Sequence, residues 1–222
     1  MNSHAIEICE RVDGFADGLA ALRDIPSSVI GDVMGRLAGT AQLRPVHRSH
    51  LRACGNAFTV RVRAGDNLLI HKALDLLRPG DLLLVDGEGD TSRALVGEIM
   101  MTTAKVRGVV AFVMDGAVRD VDAFESARFP CWARGISLRG PYKDGPGSIN
   151  VPITIDGMVV HPGDIVVADS DGVVAIPSAQ ALEVARLGQA KVDTEQATIA
   201  QILAGTYSSA WVDAALRQKT GA

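Results

Sequence analysis

Glu98, Arg119 and Asp120 are the residues of this chain whose types and spacing could do chemistry together. A carboxylate, a guanidinium and a second carboxylate, set beside the free N–H groups of a helix N-terminus, make a place for an anion. Twenty residues separate Glu98 from Arg119, so the intervening chain must bring them back to one point.

The stretch from Gly97 to Phe124 has the pattern to do so. Val96, Ile99, Met100 and Ala104 recur at helical spacing. Gly108 stops that helix, and Val109 to Met114 is a continuous apolar run, the mark of a strand covered on both faces. Asp115-Gly116 reads as a turn, and Arg119-Asp120 opens the next helical pattern, Val121 to Ala127. The helix from Gly97 to Arg107 climbs about 15 Å. The strand returns about 17 Å. The two lengths cancel, which places Glu98 and Arg119-Asp120 at the carboxyl edge of a sheet, where open α/β sheets bind ligands. The same three residues could also form a surface ion-pair cluster with no chemistry. Spacing alone leaves both readings open.

An acidic residue, twenty residues and then Arg-Asp resembles the signature of the RraA-like proteins. That family includes metal-dependent pyruvate aldolases that cleave 4-hydroxy-4-methyl-2-oxoglutarate and 4-carboxy-4-hydroxy-2-oxoadipate. Pro79-Gly80-Asp81, Val85-Asp86-Gly87, Asn150-Val151-Pro152, Pro162-Gly163-Asp164 and the run Ala168 to Val174 are further landmarks of the same resemblance, which spans roughly residues 20 to 206. The aldolases carry Asp where this chain has Glu98, and the longer side chain shifts whatever it holds.

The resemblance implies an α/β fold of the αββα sandwich type, assembled as a homotrimer or a hexamer with active sites between subunits. It implies a divalent metal, magnesium or manganese, ligated directly by Asp120 and through water by Glu98. A third carboxylate, also through water, would come from the C-terminal helix of an adjacent subunit, with Glu195 the best match and Asp193 the second. An oxygen-rich, sparsely ligated site suits such a hard, reluctantly dehydrated cation. Arg119 would bond the keto oxygen of a 2-oxo acid, and the N–H groups around Gly97, Glu98, Ile99 and Met100 would take its carboxylate. The expected function is a lyase that releases pyruvate and also decarboxylates oxaloacetate. The alternative is a non-catalytic regulator of the RraA type, which binds and inhibits an RNA-degrading endonuclease.

The rest of the chain bounds these readings. Its 222 residues, 47% hydrophobic but only 4% aromatic, suit one domain, residues 1 to 222, with a core of Val, Leu, Ile and Ala and a helical tail over 206–222. A net charge of −4 gives no general nucleic-acid footprint. Cys9, Cys54 and Cys131 are scattered, so neither a disulfide framework nor a zinc site follows, and a reducing cytoplasm is the expected compartment. No signal peptide and no membrane-spanning run is expected.

Residues 1 to 24 read as an amphipathic lead-in, followed by a helix from Ser27-Ser28 to about Arg36 that carries Asp32 as a solvated side chain. His47 and His50 lie in a loop with no third ligand nearby. Phe58, Val60 and Val62 alternate with Thr59, Arg61 and Arg63, predicting a half-exposed strand. Asp66 caps a helix that bears His71, read as a packed or surface residue. Gly87 to Asp90 is a flexible loop without a phosphate-binding pattern. Phe129 to Ala133 is a strand, and Ser137 to Ser148 is the most loop-like segment, placed near a pocket mouth. From Val151 the period becomes two, predicting strands in a largely antiparallel region, then a helix over Ala181 to Leu203. Among Lys72, Lys105, Lys143 and Lys191, only Lys105 falls near the key stretch, at the far end of its helix, so no Schiff-base lysine is expected.

Overall fold

The alternating strands and striped helices leave three apolar surfaces to cover. The computed structural model, which describes residues 6–220, buries them between four layers. In chain order come β1 (Ile6–Ile8), α1 (Ala16–Leu22), α2 (Ser27–Val33), β2 (Arg44–Pro45), β3 (Ala53–Val62), α3 (Leu68–Leu76), β4 (Asp81–Asp86), β5 (Ala94–Val96) and α4 (Glu98–Val106). Then follow β6 (Ala111–Val118), α5 (Val121–Ser126), β7 (Cys131–Ile136), β8 (Gly147–Ile149), β9 (Ile153–Ile155), β10 (Met158–Val160), β11 (Ile165–Ala168), β12 (Val173–Ile176), α6 (Ala181–Leu203) and α7 (Ala210–Thr220). The first five residues of the lead-in and the last two of the tail lie outside the described residues.

Strands β3, β4, β6 and β7 are parallel neighbours. One face of this sheet, with Phe58, Leu83 and Phe112, packs on α3, α4 and α5. The other face, with Leu82, Leu84 and Val113, packs on β9 to β12. The outer face of β11 and β12 is closed by α1, α2 and the first turns of α6. This is the expected αββα sandwich, with its two sheet layers sharing β3. The first half of β3 pairs with β11, and its second half pairs with β4 and β8.

That sharing corrects one expectation. β3 is not half-exposed: Thr59 is fully buried, and its hydroxyl donates to the Val151 carbonyl at 2.7 Å. The polar member of an alternating pattern can face inward when a backbone acceptor meets it. A second correction concerns Asp115-Gly116, which does not turn the chain but continues β6 through an irregularity in its pairing with β7. Before that point β6 pairs with β4, and after it Ala117 and Val118 pair with β5. A glycine inside a strand is a common site for such a shift. The strand expected at Phe129 to Ala133 starts later, at Cys131.

α6 runs over the predicted span. Its first turns are buried, whereas the half beyond Val192 and all of α7 stand clear of the body. Trp211, Val212 and Leu216 touch no core of this chain, so the tail does not pack on its own body. No helix among the described residues is long and apolar enough to cross a membrane.

Candidate active site

Two parallel strands set the site. β5 and β6 lie side by side, and each delivers its chain to the N-terminus of a helix. The Arg119 N–H donates to the Val96 carbonyl at 3.0 Å, which fixes the end of β6 against the start of α4. Asp120 then turns the chain in a left-handed conformation, φ 57° and ψ 41°, before α5. α5 is held by Phe124, which meets Phe112 with ring centroids 6.3 Å apart, while Phe112 meets Phe129 at 4.9 Å. Each such edge-on pair adds about 1 kcal/mol to ordinary burial.

The Asp120 carboxylate turns back on α4. Its Oδ2 accepts the Glu98 N–H at 3.0 Å and lies 3.6 Å from Arg119 Nε. Gly97 makes room for this: a Cβ there would sit 2.4 Å from Asp120 Oδ2 and 3.0 Å from Arg119 Cγ. The first bond within α4 runs from the Met101 N–H to the Gly97 carbonyl, so the N–H groups of Ile99 and Met100 precede any intrahelical acceptor.

A cavity of about 140 Å³ opens against these groups. Gly97, Ile99, Met100, Arg119 and Asp120 line it, five residues expected at the site, together with Asn67, His71, Pro141 and Lys143. Glu98 contributes its backbone N–H to the arrangement, while its side chain is exposed and is not part of the cavity lining. Glu195 lies on the projecting half of α6, 3.0 Å from Lys191, whose ammonium also reaches Asp32 at 2.9 Å. Asp32 is therefore the clasp between α2 and α6, and Lys191 holds its carboxyl below the usual range. Neither Glu195 nor Asp193 lines this chain's own cavity.

Sequence reasoning missed Asn67 and Lys143. Lys143 is remote from the key stretch in sequence, yet among the described residues it is the lysine at the cavity, and Lys105 instead donates to the Ala127 carbonyl at 2.5 Å. The available signal was the loop-like segment 137–148, read as lying near a pocket mouth. His71 also stands at the cavity, its pKa pushed down by burial and then by the Lys143 ammonium. His47 is packed edge-on to Trp132, centroids 5.3 Å apart, and is separate from His50, whose Nδ1 approaches Ser170 Oγ at 3.4 Å.

Among the described residues no group of three or more His, Cys, Asp or Glu side chains is placed to hold a metal. What one chain offers is a sparse oxygen donor set, the Asp120 carboxylate, on a face kept open by the missing side chain of Gly97. Such a set fits a mostly hydrated hard cation and does not fit zinc.

A family model described as RraA-like, Aldolase/RraA, matches residues 13–175. The chain belongs to the RraA-like family. It is 37% identical over 182 residues to a Halalkalibacterium halodurans protein named "Putative 4-hydroxy-4-methyl-2-oxoglutarate aldolase", covering 82% of this chain and 86% of that one. A solved structure of an uncharacterized protein from Pseudomonas syringae pv. tomato superposes with a TM-score of 0.78 at 25% identity, covering 88% of this chain and 96% of the other. The RNA-processing inhibitor RraA from Thermus thermophilis superposes with a TM-score of 0.63 at 28% identity, over 69% of this chain and 93% of the inhibitor. The family match stops before α6, so the projecting arm lies outside it.

Proposed function

We propose that this member of the RraA-like family is a divalent-metal-dependent lyase that cleaves a C–C bond of 4-hydroxy-4-methyl-2-oxoglutarate-type acids to release pyruvate, and that it decarboxylates oxaloacetate. The observation that carries this reading is one cavity bordered by Arg119, Asp120, Lys143 and the N-terminus of α4. Two cations and a helix N-terminus around so small a space suit a compact dianion.

The residues divide the work. The N–H groups of Ile99 and Met100 receive the C1 carboxylate of the 2-oxo acid, and Lys143 faces the distal carboxylate. Asp120, with Glu98 of the same chain and, from an adjacent subunit, Glu195 further out, would hold magnesium or manganese, which when bound supplies Lewis acidity to the 2-oxo acid. Cleavage of the C3–C4 bond leaves its electron pair on the pyruvate unit as an enolate. Arg119 stabilises the charge on the former keto oxygen. A proton returned to C3 gives pyruvate. Decarboxylation starts with no base, because the leaving group departs as carbon dioxide. Aldol cleavage also requires loss of the 4-hydroxyl proton, and Glu98 is the carboxylate assigned to that proton traffic. The assembly is a trimer or hexamer, supported by the exposed apolar face of α7.

A binding role has one specific support, the likeness to the solved RraA inhibitor. Turnover separates the two. Chelator-treated protein is assayed for pyruvate from oxaloacetate and from 4-hydroxy-4-methyl-2-oxoglutarate, with and without magnesium or manganese. Pyruvate release that returns with metal is the expected result. Neither substrate consumed above a metal-only background would reject the lyase reading and favour the inhibitor.

A further inference from the structure

The cavity wall opposite α4 comes from a loop, and loops hold geometry only when something fixes their backbone. Lys143 is bracketed by bonds on both sides. Before it, the Tyr142 N–H donates to the Gly65 carbonyl at 2.8 Å, and the Tyr142 carbonyl accepts the Asn67 N–H at 3.0 Å. After it, the N–H groups of Asp144 and Gly145 donate to Asp66 Oδ2 at 2.7 and 3.1 Å. Asp66 is fully buried, and its other oxygen accepts the Leu68 N–H at 2.9 Å at the start of α3. From the far side Arg93 donates to the Gly140 carbonyl at 2.7 Å and to the Tyr142 hydroxyl at 2.9 Å, with its guanidinium 4.1 Å from the centre of the Tyr142 ring.

A buried carboxylate is expensive unless every lone pair is used. One oxygen of Asp66 would suffice to cap α3. The second takes the two N–H groups on the C-terminal side of Lys143 together with the Arg63 guanidinium, at 3.2 Å, and Arg93 secures the other side. We propose that Asp66 and Arg93 are positioning residues that set the ammonium of Lys143 at the cavity and thereby the affinity for the distal carboxylate of the substrate. The kinetic part of this proposal rests on the lyase reading; the clamp itself does not.

The test uses Asp66→Asn, Arg93→Met, Lys143→Met and the double variant Asp66→Asn/Lys143→Met in the full-length protein. Asp66→Asn keeps an oxygen for the α3 cap and turns the other acceptor into a donor facing two N–H groups and the Arg63 guanidinium, whose ion pair it also removes. Hydrogen exchange over residues 140–146 should speed up about tenfold or more in both clamp variants, with β4 and β6 unchanged. With oxaloacetate and magnesium, Lys143→Met should raise KM roughly tenfold while kcat stays within about twofold. Each clamp variant should raise KM several-fold in the same way, and the double variant should be no worse than Lys143→Met alone. An additive double variant, or an equal fall in kcat for every variant, would make Asp66 a merely structural residue and overturn the proposal. If Asp66→Asn fails to fold, Arg93→Met, which leaves the α3 cap alone, decides. If wild-type protein turns over neither substrate, the lyase reading fails by itself. The clamp is then judged by exchange and by the rate at which an acylating reagent labels Lys143, and no change in either would overturn it.

Discussion

Two carboxylates stand five residues apart, Asp115 within β6 and Asp120 just beyond it, each beside an arginine, and their surroundings differ in a telling way. Asp115 is buried, with Oδ1 accepting from Arg134 Nε at 2.6 Å and Oδ2 accepting the Asp156 N–H at 3.0 Å. Arg134 also reaches Asp156 at 3.2 Å, tying β7 to the far sheet layer. Asp120 and Arg119 are 42% and 43% exposed and only 3.6 Å apart, and among the described residues the one donor hydrogen-bonded to Asp120 is the Glu98 N–H. An exposed ion pair contributes about 0–1 kcal/mol. The left-handed backbone of Asp120 costs on the order of 1 kcal/mol or more. The pair therefore does not stabilise the fold enough to account for its own geometry, whereas the Asp115 pair is fully consumed in holding layers together.

Breaking the carboxylates one at a time separates the two roles most strongly. Asp120→Ala should lower pyruvate release at least about 100-fold, the scale of losing a metal-site group. It should also abolish magnesium binding in a calorimetric titration, while denaturant stability changes by about 1 kcal/mol or less. Asp115→Ala should do the opposite, removing about 3 kcal/mol of stability by leaving Arg134 without its main partner. Arg134 is one-fifth exposed, so water trims that figure. Equal losses of activity and stability in both variants would erase the distinction.

The arginines sharpen the comparison at a smaller scale. Arg119→Ala should cost on the order of 100-fold in turnover yet keep metal affinity, because its target is the enolate oxygen. Near wild-type turnover in that variant would reduce Arg119 to an ion-pair partner of Asp120.

The smallest expected effect lies on β7, the strand that brings Arg134 to Asp115. Trp132 of the same strand packs on His47, whose two ring nitrogens have no partner among the described residues. Burial pushes the His47 pKa below its ordinary 6.5, and the nearby Glu125 carboxylate only partly restores it. The unfolded chain binds the proton more readily than the folded one, so stability is full above that ordinary value and is lost as pH falls below it. Urea denaturation between pH 7.5 and pH 5 should show a shallower acid decline in His47→Leu than in wild type. Parallel declines would assign the slope to other groups.

The sequence by itself determined the parts governed by near neighbours. The existence of α4 and the span of α6 follow from periodicity. The buried stripe of α4 is Met100, Met101 and Ala104, with Ile99 left exposed at the cavity, and β6 runs on to Val118 before it brings Arg119-Asp120 back beside Glu98. Only the tertiary structure decided the rest. Asp115-Gly116 carries turn residues, yet it stays in β6 because strands on both sides and Arg134 hold it there. Thr59 faces inward because a second sheet layer supplies Val151 as its acceptor. Lys143 belongs to the cavity because Asp66, Arg93 and Asn67, each at least 47 positions earlier in the chain, fasten its loop. Local pattern encodes how a segment bends and which face is apolar. It does not encode which distant hydrogen-bond partner will meet a polar group, and that pairing is what set the wall of the site.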